Sequence, residues 1–475
     1  MLIGRKMQSK ELLRLYDSDR SEFVAVYGRR RVGKTYLVNE VLGDKMLFHH
    51  AGLSRDDMEG QLEGWRSSLA DAGVKEPPSV RSWIEAFDAL KPLIRSSRKR
   101  KKIIFIDEMP WMDTPRSNFV SALEFFWNGW ASARHDILLI VCGSATSWII
   151  NKVIRNHGGL HNRVTSQIAL QPFCLQECEQ YAHALGLGMN RRQLMEGYMA
   201  MGGVPYYWSL LQRGKSMAQN IDALFFAYDG TLRNEFTELY HSLFKSPDDY
   251  IGVITALSKR KSGLTRNDII EDSKTVSNGR LTTILTDLEQ CGFIRRFSVV
   301  GKKSHDAVYQ LTDHFTLFYF QFMDGNVSDD PQFWSKCIGK PIYNTWAGLA
   351  FERLCFSHVE QIKRAIGIAA VSTNVYAWRA AADEVYGPGV QIDMLIDRQD
   401  QVVNLCEMKY SAAPYAIDRE LADGLQYKKE RFIRATKNRK AIHITMITAN
   451  GLLHNAYTGE VQCEVTADEL FETRR

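Results

Sequence analysis

Three segments in the first third of the chain are apolar without alternation: Phe23-Val-Ala-Val-Tyr27, Ile103-Ile-Phe-Ile106 and Ile137-Leu-Leu-Ile-Val-Cys142. A strand with one solvated face alternates. An unbroken apolar run ended by polar residues predicts a strand buried on both faces of a parallel sheet. Between the first two runs, Lys45 to Ser97 keeps a helical period, with Trp65, Trp83, Phe87 and Leu90 expected in the core. Helical periodicity resumes at Leu175 to Leu187, Arg191 to Met201 and Ile221 to Phe244, broken by Gly202-Gly203 and restarted at Pro205. Three short helical patterns follow, over 248–257, 265–270 and 275–291, then strands around a Gly301-Lys-Lys-Ser turn. The last third reads as a helix over 343–356 and strands over 390–397 and 402–410. These changes of period divide the chain into 1–172, 173–246, 247–323 and 324–475, and the fold class is α/β.

With 475 residues, two to four domains are expected. The composition, 45% hydrophobic and 24% charged, is that of a globular protein, and no apolar run is long enough to span a membrane. Met1-Leu-Ile-Gly-Arg-Lys lacks the apolar core of a signal peptide. The eight cysteines are scattered without a CxxC pair, which predicts buried thiols in a reducing cytoplasm and no cysteine metal site. A net charge of +5 permits a nucleic-acid partner without requiring one.

The chemistry begins where the first strand ends. Gly28-Arg29-Arg30-Arg31-Val32-Gly33-Lys34-Thr35-Tyr36 is a glycine-bounded basic loop opening into a helix, the P-loop pattern. Its glycines let backbone N–H groups turn toward phosphate oxygens, Lys34 reaches the β- and γ-phosphates, and the Thr35 hydroxyl ligates Mg²⁺. A chance match in a chain of this length is roughly a one-in-fifty event. The second strand ends in Asp107-Glu108, a Walker B pattern at the carboxyl edge where α/β folds bind ligands. Asp107 would hold Mg²⁺ through water and Glu108 would orient or deprotonate the attacking water of ATP hydrolysis. The third strand ends on Gly143-Ser144, which makes Ser144 a sensor candidate for the γ-phosphate or the lytic water.

Three further features carry open alternatives. Gly4-Arg5 precedes an amphipathic helix and either touches an adenine edge or belongs to a plain terminal helix. Arg163 is either an arginine finger acting on a neighbouring subunit's nucleotide, which would require a homo-oligomer, or a surface arginine. Met201-Gly-Gly-Val-Pro205-Tyr-Tyr-Trp208 sets aromatics at a bend, to line an adenine pocket or to pack a core. Taken together, Gly28 to Thr35, Phe105 to Glu108, Gly143-Ser144, Arg163 and Gly202-Gly-Val-Pro-Tyr-Tyr resemble the prokaryotic ATPases related to AAA+ and STAND proteins, the archaeal-type ATPase family. The resemblance covers about the first half of the chain. It implies an αβα ATPase core over 1–172 with a helical lid over 173–246, although no lid arginine of the second-sensor kind is present.

Residues 247–323 resemble a winged helix, Leu281 to Ile294 matching its last helix and first wing strand. A DNA reader of that fold would present Lys274, Asn278 and Arg280 to base edges and Lys302 and Lys303 to phosphate; a spacer would not.

In 324–475, Glu352 sits on the apolar face of a helix, Asp393 on a strand, and Glu407-Met-Lys409 on the next strand. A period of two places Glu407 and Lys409 on the face of Val403 and Leu405, and charges buried there are costly unless paired or bound to metal. This order resembles the PD-(D/E)XK nuclease fold. The resemblance implies that Asp393 and Glu407 hold Mg²⁺, that Glu352 supports the site and that Lys409 positions or activates water. Gln391-Ile-Asp393 lacks the proline common before the acid. Two functions follow as expectations. One is an ATPase whose nucleotide state controls a metal-dependent nuclease on DNA, with defence against foreign DNA as a role. The other is an ATP switch that binds nucleic acid or a protein partner, its nuclease fold an inactive scaffold.

Overall fold

The structure is a computed structural model that describes residues 2–156, 158–260, 262–273, 278–297, 307–326, 328–382, 384 and 387–472. The chain divides into two compact units, the first of residues 1–172 and 242–245, the second of 173–241 and 246–475.

In the first unit the strands are β1 (Glu22–Tyr27), β2 (Met46–Ala51), β3 (Lys102–Asp107), β4 (Ile137–Gly143) and β5 (Ser166–Ala169). They form one parallel sheet in the order β2-β3-β4-β1-β5. Helices cover both faces, so successive strand residues enter two different cores. Phe23, Ala25, Ile104, Ile106, Leu139 and Val141 pack into one. Val24, Val26, Ile103, Phe105, Leu138 and Ile140 pack into the other. Both sets are buried, which is why the sequence shows runs rather than alternation. Because all the strands are parallel, the residues after β1, β3 and β4 emerge at one edge, and that edge holds the P-loop, Asp107-Glu108 and Ser144.

The second unit joins what the sequence divides into lid, small module and terminal domain. The reason is a shared aromatic core. Tyr198, on the helix Arg191–Met201, sets its ring 5.2 Å from both His314 and His358. Phe318 lies 5.0 Å from Trp334, and Trp334 meets Trp346 edge-on at 5.1 Å. Tyr207 and Trp208 are core residues here: the Tyr207 hydroxyl donates to Glu235 at 2.8 Å and Trp208 Nε1 to the Gly202 carbonyl at 2.8 Å. The small module has helices Pro247–Ser258, Arg266–Ser273 and Asn278–Gln290 with a three-stranded antiparallel sheet. Its strands are β6 (Leu264–Thr265), β7 (Ile294–Phe297) and β8 (Val308–Leu311), in the order β6-β8-β7. Arg280 is ion-paired with Asp249. Lys274, Lys302, Lys303 and the Asn278 side chain lie outside the described residues.

The terminal part begins with the helix Pro341–Ser357. It continues with β9 (Thr373–Ala380), β10 (Val390–Arg398), β11 (Val402–Lys409), the short β12 (Tyr415–Ala416), the helix Arg419–Thr436, β13 (Ala441–Thr448), the short β14 (Leu452–Leu453) and β15 (Cys463–Thr466). The main sheet has the order β15-β13-β11-β10-β9. Its first three strands form an antiparallel meander, and the helix Arg419–Thr436 crosses over to bring β13 parallel to β11. No helix among the described residues is long and apolar enough to cross a membrane.

Candidate functional site

At the carboxyl edge of β1 the chain must leave the sheet sharply. Gly28 has φ 148, and a Cβ there would lie 2.2 Å from the Leu170 carbonyl oxygen, so only glycine fits. Arg31 and Gly33 take left-handed backbone at φ 68 and 87, and the helix Lys34–Leu42 starts at once, without a side-chain cap. Its first-turn N–H groups therefore lack partners from the helix or from a capping side chain, the arrangement that suits an anion. Arg29, Val32 and Lys34 are buried, Arg30 and Arg31 are partly so, and Tyr36 is exposed. Lys34 Nζ donates to the carbonyls of Gly28 and Arg29, both at 3.0 Å. These partners are neutral, so the ammonium charge is still available to a phosphate.

Thr35 Oγ1 donates to Asp107 Oδ2 at 2.6 Å, which joins the two residues expected at a metal ion although they are 72 positions apart. Asp107 Oδ1 accepts the N–H of Glu108 at 2.8 Å. Glu108 itself has left-handed backbone, φ 43, an uncommon and strained setting for a non-glycine residue. Its Oε2 accepts both the Ser144 hydroxyl, at 2.8 Å, and the Ser144 N–H, at 3.1 Å. Sequence reasoning assigned Ser144 to phosphate or water; the structure adds that it holds Glu108. Arg5, buried near the loop, donates to the Val32 carbonyl at 3.4 Å. The donor set fits a magnesium nucleotide: a lysine on neutral carbonyls, an uncapped helix start, and a hydroxyl–carboxylate pair of hard oxygens.

Arg163 is exposed and lies elsewhere in the unit. Thr165 N–H donates to the Phe23 carbonyl near the start of β1, so Arg163 falls toward the edge opposite its own P-loop. Pro205 opens the helix Pro205–Ser209 in the second unit, in front of the packed Tyr207 and Trp208.

The second constellation forms on the terminal sheet. β10 and β11 pair from Asp397 opposite Val403 to Met394 opposite Cys406, and Asp393 and Glu407 are the residues next along the two strands. The β9–β10 register shifts between Ile392 and Leu395, so Asp393 sits at an irregularity in the strand, where side chains are re-aimed. Asp393 Oδ1 accepts from Gln391 Nε2 at 2.6 Å. Glu407 is buried between two ammonium groups, Lys409 Nζ at 2.9 Å from Oε1 and Lys428 Nζ at 2.7 Å from Oε2. Burial alone would raise its carboxyl; Lys428 and Lys409 outweigh that and hold it below the usual range. Glu352 goes the other way. Burial, then the nearby Asp393 charge, push it up to about 7 against the pull of Arg353, with Glu407 adding to the rise.

The acids and Lys409 that sequence reasoning named therefore do come together. It missed Lys428, contributed by the helix Arg419–Thr436. The signal was present: Lys428 falls on the helical stripe of Ala422, Leu425 and Phe432, all buried. It also missed Arg295 and Arg353, whose charges act on this cluster. Arg295 packs over the Phe356 ring at 3.2 Å and donates to Gln310 Oε1 at 3.0 and 2.7 Å. Among the described residues no three His, Cys, Asp or Glu side chains converge tightly enough to hold one ion. Asp393 and Glu407, both acting on the Glu352 carboxyl, are the hard oxygen donors of this cluster.

Comparison with known proteins agrees with the first constellation. Residues 2–211 match the family described as an ATPase domain predominantly from Archaea. An uncharacterised protein of Methanocaldococcus jannaschii is 24% identical over 391 residues, 81% of this chain and 83% of that protein. A shorter match links 89 residues, 18% of this chain and 19% of its relative, to the GTPase Der of Alcanivorax borkumensis at 37% identity. Among solved structures, the Walker-type ATPase of Pyrococcus abyssi covers 68% of this chain and 96% of its own, with 16% identity and a TM-score of 0.51, a likeness of fold. Residues 2–211 of this chain are thus similar to that ATPase domain family, and the P-loop, Asp107-Glu108 and Ser144 all lie inside the matched stretch.

Proposed function

We propose that this protein binds and hydrolyses ATP at the P-loop and that its nucleotide state controls a metal-dependent nuclease site in the second unit, acting on DNA. The observation that supports the second half is that Asp393, Glu407 and Lys409 all lie close enough to Glu352 to act on its charge, on a helix–three-strand meander–helix–strand frame. In the first site Lys34 would exchange its loop carbonyls for phosphate oxygens, and Thr35 and Asp107 are the residues that would hold the metal. Glu108, oriented by Ser144, takes the proton of the attacking water. In the second, a divalent cation would neutralise phosphodiester oxygens and acidify a bound water. There Asp393 and Glu407 supply the oxygens, Lys409 keeps its positive charge near the scissile phosphate, and Glu352 supports the pair from the helix. Arg163, away from its own P-loop, would complete a neighbour's ATP site in a homo-oligomer. The arginine reading is tested by mixing Arg163→Ala with Lys34→Ala subunits: recovered hydrolysis supports it, and full activity in a monomer removes it.

One observation favours the second reading, a scaffold that binds nucleic acid or a protein without cutting: both Glu407 oxygens are already engaged by lysines. A cleavage assay with Mg²⁺ or Mn²⁺ separates the two, run on single-stranded, duplex and supercoiled DNA and on RNA, with and without ATP. Cleavage lost in Asp393→Ala with ATP turnover unchanged supports the nuclease. Tight nucleic-acid binding with no cleavage under any condition selects the scaffold.

A further inference from the structure

The second unit contains a cavity of about 300 Å³ between the helices Pro247–Ser258, His314–Phe322 and Pro341–Ser357, bordered by Arg353 and Gln310 but by none of the acids of the terminal constellation. Its lining is unusual for a packing defect. Voids left by imperfect packing are apolar, whereas this one carries a buried N–H that the protein does not satisfy. Trp346 is 3% exposed and its Nε1 has no hydrogen-bond partner. Its ring is fixed edge-on by Trp334 and by Phe318 at 5.7 Å, so the N–H is held in place. His314 is 5% exposed and its ring lies against the Met199 backbone. Arg353 and Gln310 also line the space, and the exposed Lys259 and Arg260 stand at it, with Asp324 the single acid.

We infer that this cavity is a binding site for a small organic anion of nucleoside monophosphate size. The chemistry that would recognise it is complementary part by part. An apolar wall that includes Leu311 and Phe320 takes a planar ring. The Trp346 N–H matches an acceptor on the ring edge, because a fixed buried donor without an acceptor is costly until a ligand supplies one. Lys259 and Arg260 take the single phosphate. The volume lies at the lower end of the range for metabolite pockets and is small for the nucleoside triphosphate expected at the P-loop. The inference is independent of the nuclease reading.

The test uses the full chain carrying Lys34→Ala, so that the P-loop does not take up the probes. AMP, GMP, CMP and UMP are titrated calorimetrically in metal-free buffer. At least one is expected to bind at one site per chain with a dissociation constant below 1 mM. Trp346→Phe, which keeps the ring packing and removes the N–H, should weaken it about five- to tenfold. Ala350→Phe, which fills the cavity, should abolish it. Lys259→Ala with Arg260→Ala changes only exposed side chains and so does not threaten folding. It should weaken the monophosphate severalfold while leaving the matching nucleoside unchanged. The inference is overturned if none of the four probes binds at 5 mM, which leaves a hydrated cavity. It is equally overturned if binding is unaffected by the cavity and rim variants, which places the probe elsewhere.

Discussion

The two constellations use the same materials, carboxylates and lysines at the edge of a sheet, and arrange them oppositely. In the P-loop site three charged groups are held by neutral partners: Lys34 by two carbonyls, Asp107 by the Thr35 hydroxyl and a backbone N–H, Glu108 by Ser144. In the terminal site the charges hold one another, Glu407 between Lys409 and Lys428. Neutral tethers fix geometry without consuming charge, so the first site can meet a magnesium nucleotide after small rearrangements. Ion pairs consume charge. A ligand that takes a Glu407 oxygen must compete with a lysine for it.

The sharpest way to break this contrast is at Lys34. Its partners are neutral carbonyls, so Lys34→Ala should reduce ATP affinity at least about 100-fold, the effect of losing a charge-assisted phosphate contact in a water-poor loop. The melting temperature without nucleotide should move by only about 1–3 °C. Calorimetric titration and thermal unfolding on one sample give both values. Unchanged affinity would remove the P-loop reading.

Glu108→Gln comes next. Glutamine keeps the size and can still accept from Ser144 but takes no proton from water, so hydrolysis should fall about 10²- to 10³-fold while ATP affinity stays within about threefold. Single-turnover kinetics decide it. A parallel loss of binding would mean that Glu108 supports the fold of the loop rather than the chemistry.

Much of this was legible in the chain because the signals are local. The P-loop spans nine consecutive residues, and the run from Ile103 to Glu108 announces both a buried strand and the acids at its end. What was not legible depends on distance in sequence. Ser144 reaches Glu108 across 36 positions, and Lys428 reaches Glu407 across 21 through a helix whose docking face the strand pattern does not specify. The segment Pro205 to Trp208 illustrates the limit: aromatics at a bend fit a pocket or a core equally well, and only the hydrogen bonds of Tyr207 and Trp208 show that these two pack. The merging of three expected domains into one unit has the same origin, since Tyr198, His314 and His358 are scattered in sequence and meet only in the fold.

Lys428→Met tests the terminal side of the comparison at smaller scale. Removing one of two cations from a buried carboxylate leaves Glu407 half compensated, which should cost about 1–3 kcal/mol of stability, less than the loss of a sole partner because Lys409 remains. The same change should leave ATP binding untouched. Denaturant unfolding monitored in both units reads it, and a neutral result would mean that water already screens the pair.

The smallest expected effect concerns Glu352 and fixes whether the terminal acids are a cation site at all. Burial and Asp393 raise its carboxyl to about 7 in the folded chain, against an ordinary value of 4.5. A raised value means that the folded state favours the protonated form. Its stabilising contribution is complete below pH 4.5 and is lost as pH rises through 7, so at pH 8 the folded chain carries a strained carboxylate. In chelating buffer Glu352→Gln should therefore melt a few degrees above wild type at pH 8, and the gap should close by pH 5. Adding Mg²⁺ at pH 8 should reverse the order, because the ion relieves repulsion that the glutamine variant no longer has. If the variant is no more stable at pH 8 than at pH 5, relative to wild type, then Glu352 is not strained by its neighbours. If Mg²⁺ moves both proteins equally, the acids are paired for structure alone and the scaffold reading stands.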